Sequence, residues 1–136
     1  MKRISMILIL LASFLYSHCQ IPCGIYDDNA KVKEMLQDVA TIKKALNSIS
    51  ELSKKKDAQS YNQLIRWVNN KEAHSQNIIA TISDYFLTQR VKESQKDYVQ
   101  RLKEHHKVII DAMKTKQNSD MKYANELEKS ILKLVK

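Results

Sequence analysis

A histidine, both cysteines, the only proline and the only glycine of the chain fall between positions 18 and 24, in the run His18-Cys19-Gln20-Ile21-Pro22-Cys23-Gly24. Tyr26 and Asp27 follow directly. If the preceding residues are removed, His18 becomes the first residue and gains a free α-amine. That amine, the backbone amide nitrogen of Cys19 and the thiolates of Cys19 and Cys23 can then converge as two nitrogens and two sulfurs. Pro22 and Gly24 bend the backbone so that the second thiolate returns to the first.

Such donors in one plane suit nickel(II) or copper(II), whereas tetrahedral zinc asks for a fourth side-chain ligand that is not nearby. The His18 imidazole can act as an axial ligand and favour the higher oxidation state. The anionic thiolates and amidate bring the potential within reach. These are the requirements of one-electron cycling, which zinc cannot perform. The simpler reading of two cysteines four apart in an exported chain is a disulfide. So small a loop stabilises a helical body little. A nickel or copper carrier without turnover uses the same donors. Metal content, thiol count and redox turnover separate the three.

What precedes His18 reads as a removable leader. Residues 1–17 open on Lys2 and Arg3, continue as an apolar run from Ile4 to Tyr16 and end on Ser17, which is a signal-peptide pattern. The run is shorter than the roughly 20 residues of a membrane span. Export to a periplasmic or extracellular space is the expectation, with a cytoplasmic protein carrying a cleaved propeptide as the alternative. Acylation at Cys19 fits poorly, because Tyr16 and His18 stand where that processing wants an aliphatic and a small residue. An uncleaved anchor leaves no free amine.

The rest of the 136 residues is one helical domain. Beyond Gly24 there is no glycine or proline to punctuate hairpins or α/β crossovers. Removing the leader lowers the formal charge from +8 to +6 by taking Lys2 and Arg3. That surface attracts anions, but no basic stripe with interleaved aromatics marks a nucleic-acid site.

Four amphipathic segments follow. The first runs from Asn29 to about Leu52, with Val32, Met35, Leu36, Val39, Ile42, Leu46, Ile49 and Leu52 on one face and Asp27 or Asp28 as its cap. Residues 53–60 read as a charged loop. The second, Tyr61 to Phe86, places Leu64, Ile65, Val68, Ile78, Ile79, Ile82, Tyr85 and Phe86 inward, with Trp67 partly buried beside them. Its stripe is interrupted by Lys71, Glu72, His74 and Ser75. Such a gap is either a polar pocket inside the bundle or, more commonly, a stretch turned to water. The third, about Val91 to Lys116, directs Tyr98, Val99, Leu102, Ile109, Ile110 and Met113 inward and leaves His105 and His106 at the surface or rim. The fourth, about Asp120 to Val135, buries Met121, Ala124, Leu127, Ile131 and Leu134. Short polar links favour an antiparallel four-helix bundle behind an N-terminal metal-binding hook. The division is a leader over 1–17, a hook over 18–26 and a bundle over 27–136.

With His18-Cys19, Pro22-Cys23-Gly24 and Tyr26-Asp27 at its head, the chain resembles the nickel-containing superoxide dismutases. Ser83-Asp84-Tyr85-Phe86 is similar to a run which that family carries in its second helix. The resemblance implies disproportionation of superoxide to dioxygen and hydrogen peroxide, a nickel ion, a homohexamer of four-helix bundles and a maturation protease. It gives His18, Cys19 and Cys23 the ligand roles and leaves Pro22 and Gly24 to shape the hook. Tyr26 takes the place of a tyrosine at the substrate approach. Glu34 falls where a carboxylate steadies the axial imidazole, and Tyr85 where a second-helix tyrosine approaches the hook. Gln20 stands where the family often has an aspartate, and Asp28 where a proline often follows. The family's arginine partner for the carboxylate has no clear counterpart, with Asn70 and Lys71 in the expected region and Arg66 a turn away.

Overall fold

A computed structural model of the chain describes residues 28–135. The leader, the hook with His18, Cys19, Pro22, Cys23, Gly24 and Tyr26, and the capping candidate Asp27 lie outside the described residues. Helix α1 spans Asp28–Leu52 and α2 spans Ala58–Ala80. The second helix runs on without a break into a π-helical stretch, Thr81–Arg90. Helices α3 and α4 span Tyr98–Gln117 and Met121–Leu132. No strand occurs among the described residues.

Each helix packs on the next and α4 closes back on α1. Consecutive helices are antiparallel: α1 meets α2 at Asp38 and His74 and again at Asp28 and Tyr85, with partner numbers running in opposite senses. The core consists of Met35, Val39 and Ile42 from α1, Ile78 and Ile82 from the second helix, Val108 and Ala112 from α3, and Ala124, Leu127 and Ile131 from α4, all fully buried. Burying side chains of the Ile, Leu and Met kind stabilises by about 1.5–3 kcal/mol each.

Capping sets the helix starts. Helix α2 begins three residues before the expected Tyr61 because the Asp57 carboxylate accepts bonds from the Ser60 amide at 2.8 Å and the Ser60 hydroxyl at 2.7 Å. Asp120 caps α4 through the Lys122 amide at 2.9 Å. Helix α3 begins at Tyr98, seven residues after the expected Val91. Backbone extended at Val91 ends the π-helical stretch. The Gln95 side chain then holds the turn by donating to the Arg90 carbonyl at 3.1 Å and accepting from the Lys92 amide at 2.9 Å.

The interruption in the second stripe faces inward, contrary to the commoner expectation. Lys71 and Ser75 are buried, while Glu72 and His74 lie at the rim. The Lys71 ammonium donates to the carbonyls of Thr115 at 2.5 Å, Lys116 at 2.6 Å and Asn118 at 3.2 Å, so a lysine from α2 caps the C-terminus of α3. Cations suit that end of the helix dipole, and these last-turn carbonyls have no partners within their own helix. Ser75 and Thr115 place their hydroxyl oxygens 2.7 Å apart, each also within reach of a backbone carbonyl.

This polar seam also rotates α3. The face turned inward is His105, Val108, Asp111, Ala112 and Thr115, while Val99, Leu102, Ile110 and Met113, expected inside, are exposed. Turning the larger apolar residues in would take the Thr115 hydroxyl from Ser75 and set aliphatic groups against the buried Lys71 ammonium. His105 is therefore buried rather than at the rim, and His106 is exposed as expected. The fully buried Asp111 carboxylate accepts from Lys107 at 2.7 and 2.9 Å and from the Ser130 hydroxyl at 2.5 Å. Ile65 and Val68 are likewise exposed. Between them Trp67 is partly buried, with the Lys44 ammonium of α1 5.7 Å from its ring centre.

Candidate metal centre

At the end of the bundle where the chain enters α1, three polar side chains close on one another. The Tyr85 hydroxyl donates to the Asp28 carboxylate at 2.6 Å, and Arg90 Nε donates to the same oxygen at 2.7 Å. Arg90 Nη2 donates to the Tyr85 hydroxyl at 2.8 Å, and the guanidinium lies 5.2 Å from the tyrosine ring centre. The hydroxyl thus donates to Asp28 and accepts from Arg90, through Nη2 and also through Nε at 3.2 Å. Burial, then the Asp28 carboxylate, pushes the Tyr85 hydroxyl above its usual pKa. The bonds to Tyr85 and Asp28 raise that of Arg90, which stays charged.

The π-helical stretch makes this contact possible. Residues five apart on an α-helix lie about 140° apart around the axis, which would carry Arg90 away from Tyr85. Bonds from residue i to i+5 set them about one turn apart. The stretch shows that spacing in the Val91 amide on the Phe86 carbonyl at 3.0 Å and in the Thr88 hydroxyl on the Ser83 carbonyl at 2.8 Å.

Behind the cluster, Phe86 packs its edge on Tyr85 at 5.1 Å between ring centres and lies 5.4 Å from His105. The His105 ring nitrogen Nδ1 is 2.7 Å from the Arg101 carbonyl, and burial holds its pKa below the usual range. Asp28, Val32, Phe86, Arg90, Arg101 and His105 line part of a cavity of about 290 Å³ beside this point.

Glu34 lies two turns further along α1, on a different surface. Its carboxylate pairs with Lys31 at 2.8 Å and borders an open groove of about 520 Å³ together with Asp38 and His74. In that groove His74 Nδ1 sits 2.6 Å from Asp38. The structure joins Tyr85 to Asp28, two residues beyond Tyr26, but does not bring Glu34 to Tyr85. Neither Lys71 nor Asn70 is placed to pair with Glu34, because Lys71 is committed to the end of α3 and His74, further along α2, is already level with Asp38. Sequence reasoning missed Arg90, and a 3.6-residue period gives no sign that it meets Tyr85.

Residues 13–136 match the family model of nickel-containing superoxide dismutases. The chain belongs to that family. No curated protein and no solved structure matches it. A nickel-containing superoxide dismutase is an oxidoreductase that carries nickel and acts on superoxide. The donor set of this chain fits that metal. Its only two cysteines, Cys19 and Cys23, stand beside His18, and thiolates with nitrogen donors suit nickel. Among the described residues, no group of three or more His, Cys, Asp or Glu side chains is placed to hold a metal ion. No described helix is long and apolar enough to cross a membrane.

Proposed function

We propose that the dismutase works from a processed N-terminus. Removal of residues 1–17 leaves His18 first, and its amine, the Cys19 amide nitrogen and the thiolates of Cys19 and Cys23 hold the nickel ion, with the His18 imidazole as a further donor. Nickel bound there supplies one-electron exchange between two oxidation states as two superoxide ions and two protons become dioxygen and hydrogen peroxide. The chain's own residues do the rest. Pro22 and Gly24 shape the loop so that both sulfurs reach one ion. Tyr26 lines the substrate approach through its hydroxyl, and Tyr85 stands behind it. Glu34 steadies the His18 imidazole, with Lys31 as its basic neighbour in place of an arginine. Engagement of both sulfurs by the metal, beside the deprotonated Cys19 amide, protects them from the peroxide formed next to them.

The observation that carries this reading is the co-occurrence of the family match with the His18-Cys19 pair and a second cysteine, Cys23, all within the ten residues ahead of Asp28. The leader directs export, and the protein assembles as a homohexamer after a maturation protease exposes His18. The exposed Val99, Leu102, Ile110 and Met113 supply an apolar face for that assembly. The mature charge of +6 draws superoxide inward, an effect that falls as salt screens it.

The test is N-terminal sequencing of the natural protein, followed by metal content and turnover of the processed form, of Cys19→Ser, of Cys23→Ser and of a form with one residue added ahead of His18. Each change should abolish activity. Full activity in the extended form rules out the amine as a ligand.

A further inference from the structure

We infer that Arg90 is a positioning residue for the metal-binding segment, acting through a clamp of Asp28, Tyr85 and Arg90 that the π-helical stretch assembles. Asp28 opens α1 and is the residue from which the chain runs back to Tyr26 and the cysteines. A segment that must carry several ligands to one ion is only as well placed as its point of attachment. Asp28 is half exposed at the first turn of a helix, where backbone amides lack partners within the helix and fraying begins. The clamp opposes that fraying from outside α1. Its bonds come from residues 85 and 90 of the second helix, and they join a carboxylate, a phenol and a guanidinium through charge-assisted contacts of 2.6–2.8 Å.

Two further features give the clamp a rigid base. Tyr85 and Phe86 are buried in the core, so the phenol cannot follow a fraying helix outward. The Arg90 carbonyl is held by the Gln95 amide, which fixes the last turn of the π-helical stretch. That stretch is an unfavourable conformation, and a chain that relaxed to α-helix there would turn Arg90 away from Tyr85. Arg90 touches neither substrate nor metal in this account. It positions Asp28, and Asp28 positions what precedes it.

The inference rests on the proposed N-terminal metal site, and its test separates the two. The processed protein is compared with Arg90→Leu, Asp28→Asn, the double variant and the charge exchange Asp28→Arg with Arg90→Asp. Hydrogen exchange of the metal-free protein reads the amides of residues 32–35, which bond to carbonyls of the first turn of α1. Chelator competition reads nickel release.

Arg90→Leu should speed exchange at those amides roughly tenfold, a loss of the size expected for charged hydrogen bonds, with exchange in α3 and α4 unchanged. Nickel release should accelerate in step. The double variant should add little to either single one, and the charge exchange should recover part of the protection and of the nickel retention. Unchanged exchange at residues 32–35 in Arg90→Leu, additive effects in the double variant, or faster exchange spread evenly over all helices overturns the clamp. A parent protein that binds no nickel at its N-terminus refutes the metal site, while the metal-free exchange still reports on the clamp.

Discussion

Replacing Lys71 with methionine should destabilise the bundle by about 3 kcal/mol. The side chain is 5% exposed, and its ammonium holds three carbonyls at the end of α3. The Thr115 carbonyl is buried and loses its donor outright, which costs about 2 kcal/mol. The Lys116 and Asn118 carbonyls are half-buried and within reach of water, so each loses only about 0.5 kcal/mol. Removing a cation from the negative end of the helix dipole adds about 0.5 kcal/mol, and relief from burying an ammonium offsets part of the total. With an unfolding entropy of about 0.25 kcal/mol/K for a domain of this size, the midpoint of thermal unfolding should fall by about 12 °C. The assay is thermal and urea unfolding of the metal-free processed protein, followed by far-ultraviolet circular dichroism. A variant melting within about 3 °C of the parent would refute the reasoning, because methionine keeps the bulk of lysine and removes only the charge and its bonds.

Asp111 has its carboxyl held below the usual range; burial alone would raise it, and the bonds from Lys107 and Ser130 overcome that. Its stabilisation is therefore complete above the unfolded value near pH 4 and is lost as pH falls through the lower folded value. Urea midpoints measured against pH should show Asp111→Asn less stable at neutral pH and with a flatter acid limb than the parent. Ile110→Glu should lower the mass seen by analytical ultracentrifugation toward the monomer while leaving each chain's melting within about 0.5 kcal/mol of the parent. Chelating nickel from the processed protein in air should convert Cys19 and Cys23 to a disulfide, read as loss of both free thiols, whereas the loaded protein keeps them from oxidation.

Periodicity made α1 and α4 legible, because their inward positions are apolar at every turn from Val32 to Ile49 and from Ala124 to Ile131. The chemistry of the N-terminal segment was legible for another reason: few arrangements call for a histidine, two cysteines, a proline and a glycine within so few residues. Helix α3 departs from the amphipathic pattern, because its apolar residues Val99, Leu102, Ile110 and Met113 do not mark the face that turns inward. Among the side chains that fill it, Thr115 meets Ser75 and Asp111 meets Ser130 on neighbouring helices, and His105 lies on the same face against Phe86. Those contacts exist only once helices are paired, so no single segment reveals them. Arg90 was hidden likewise, since its meeting with Tyr85 depends on a local change of helical pitch.

The lysine that closes α3 has a bearing on how this molecule finds a single arrangement. Purely greasy helices can slide past one another by a turn with small loss, because one leucine substitutes for the next. Here a shift of about 5.4 Å, one helical turn, would draw the buried Lys71 ammonium off the end of α3 and leave the buried Thr115 carbonyl without its donor. The second and third helices therefore lock at one axial setting, trading some stability for a unique alignment. Tyr85 and Arg90 ride on the same helix as Lys71, so the lock at one end of the molecule sets the height at which the tyrosine and arginine arrive at the other.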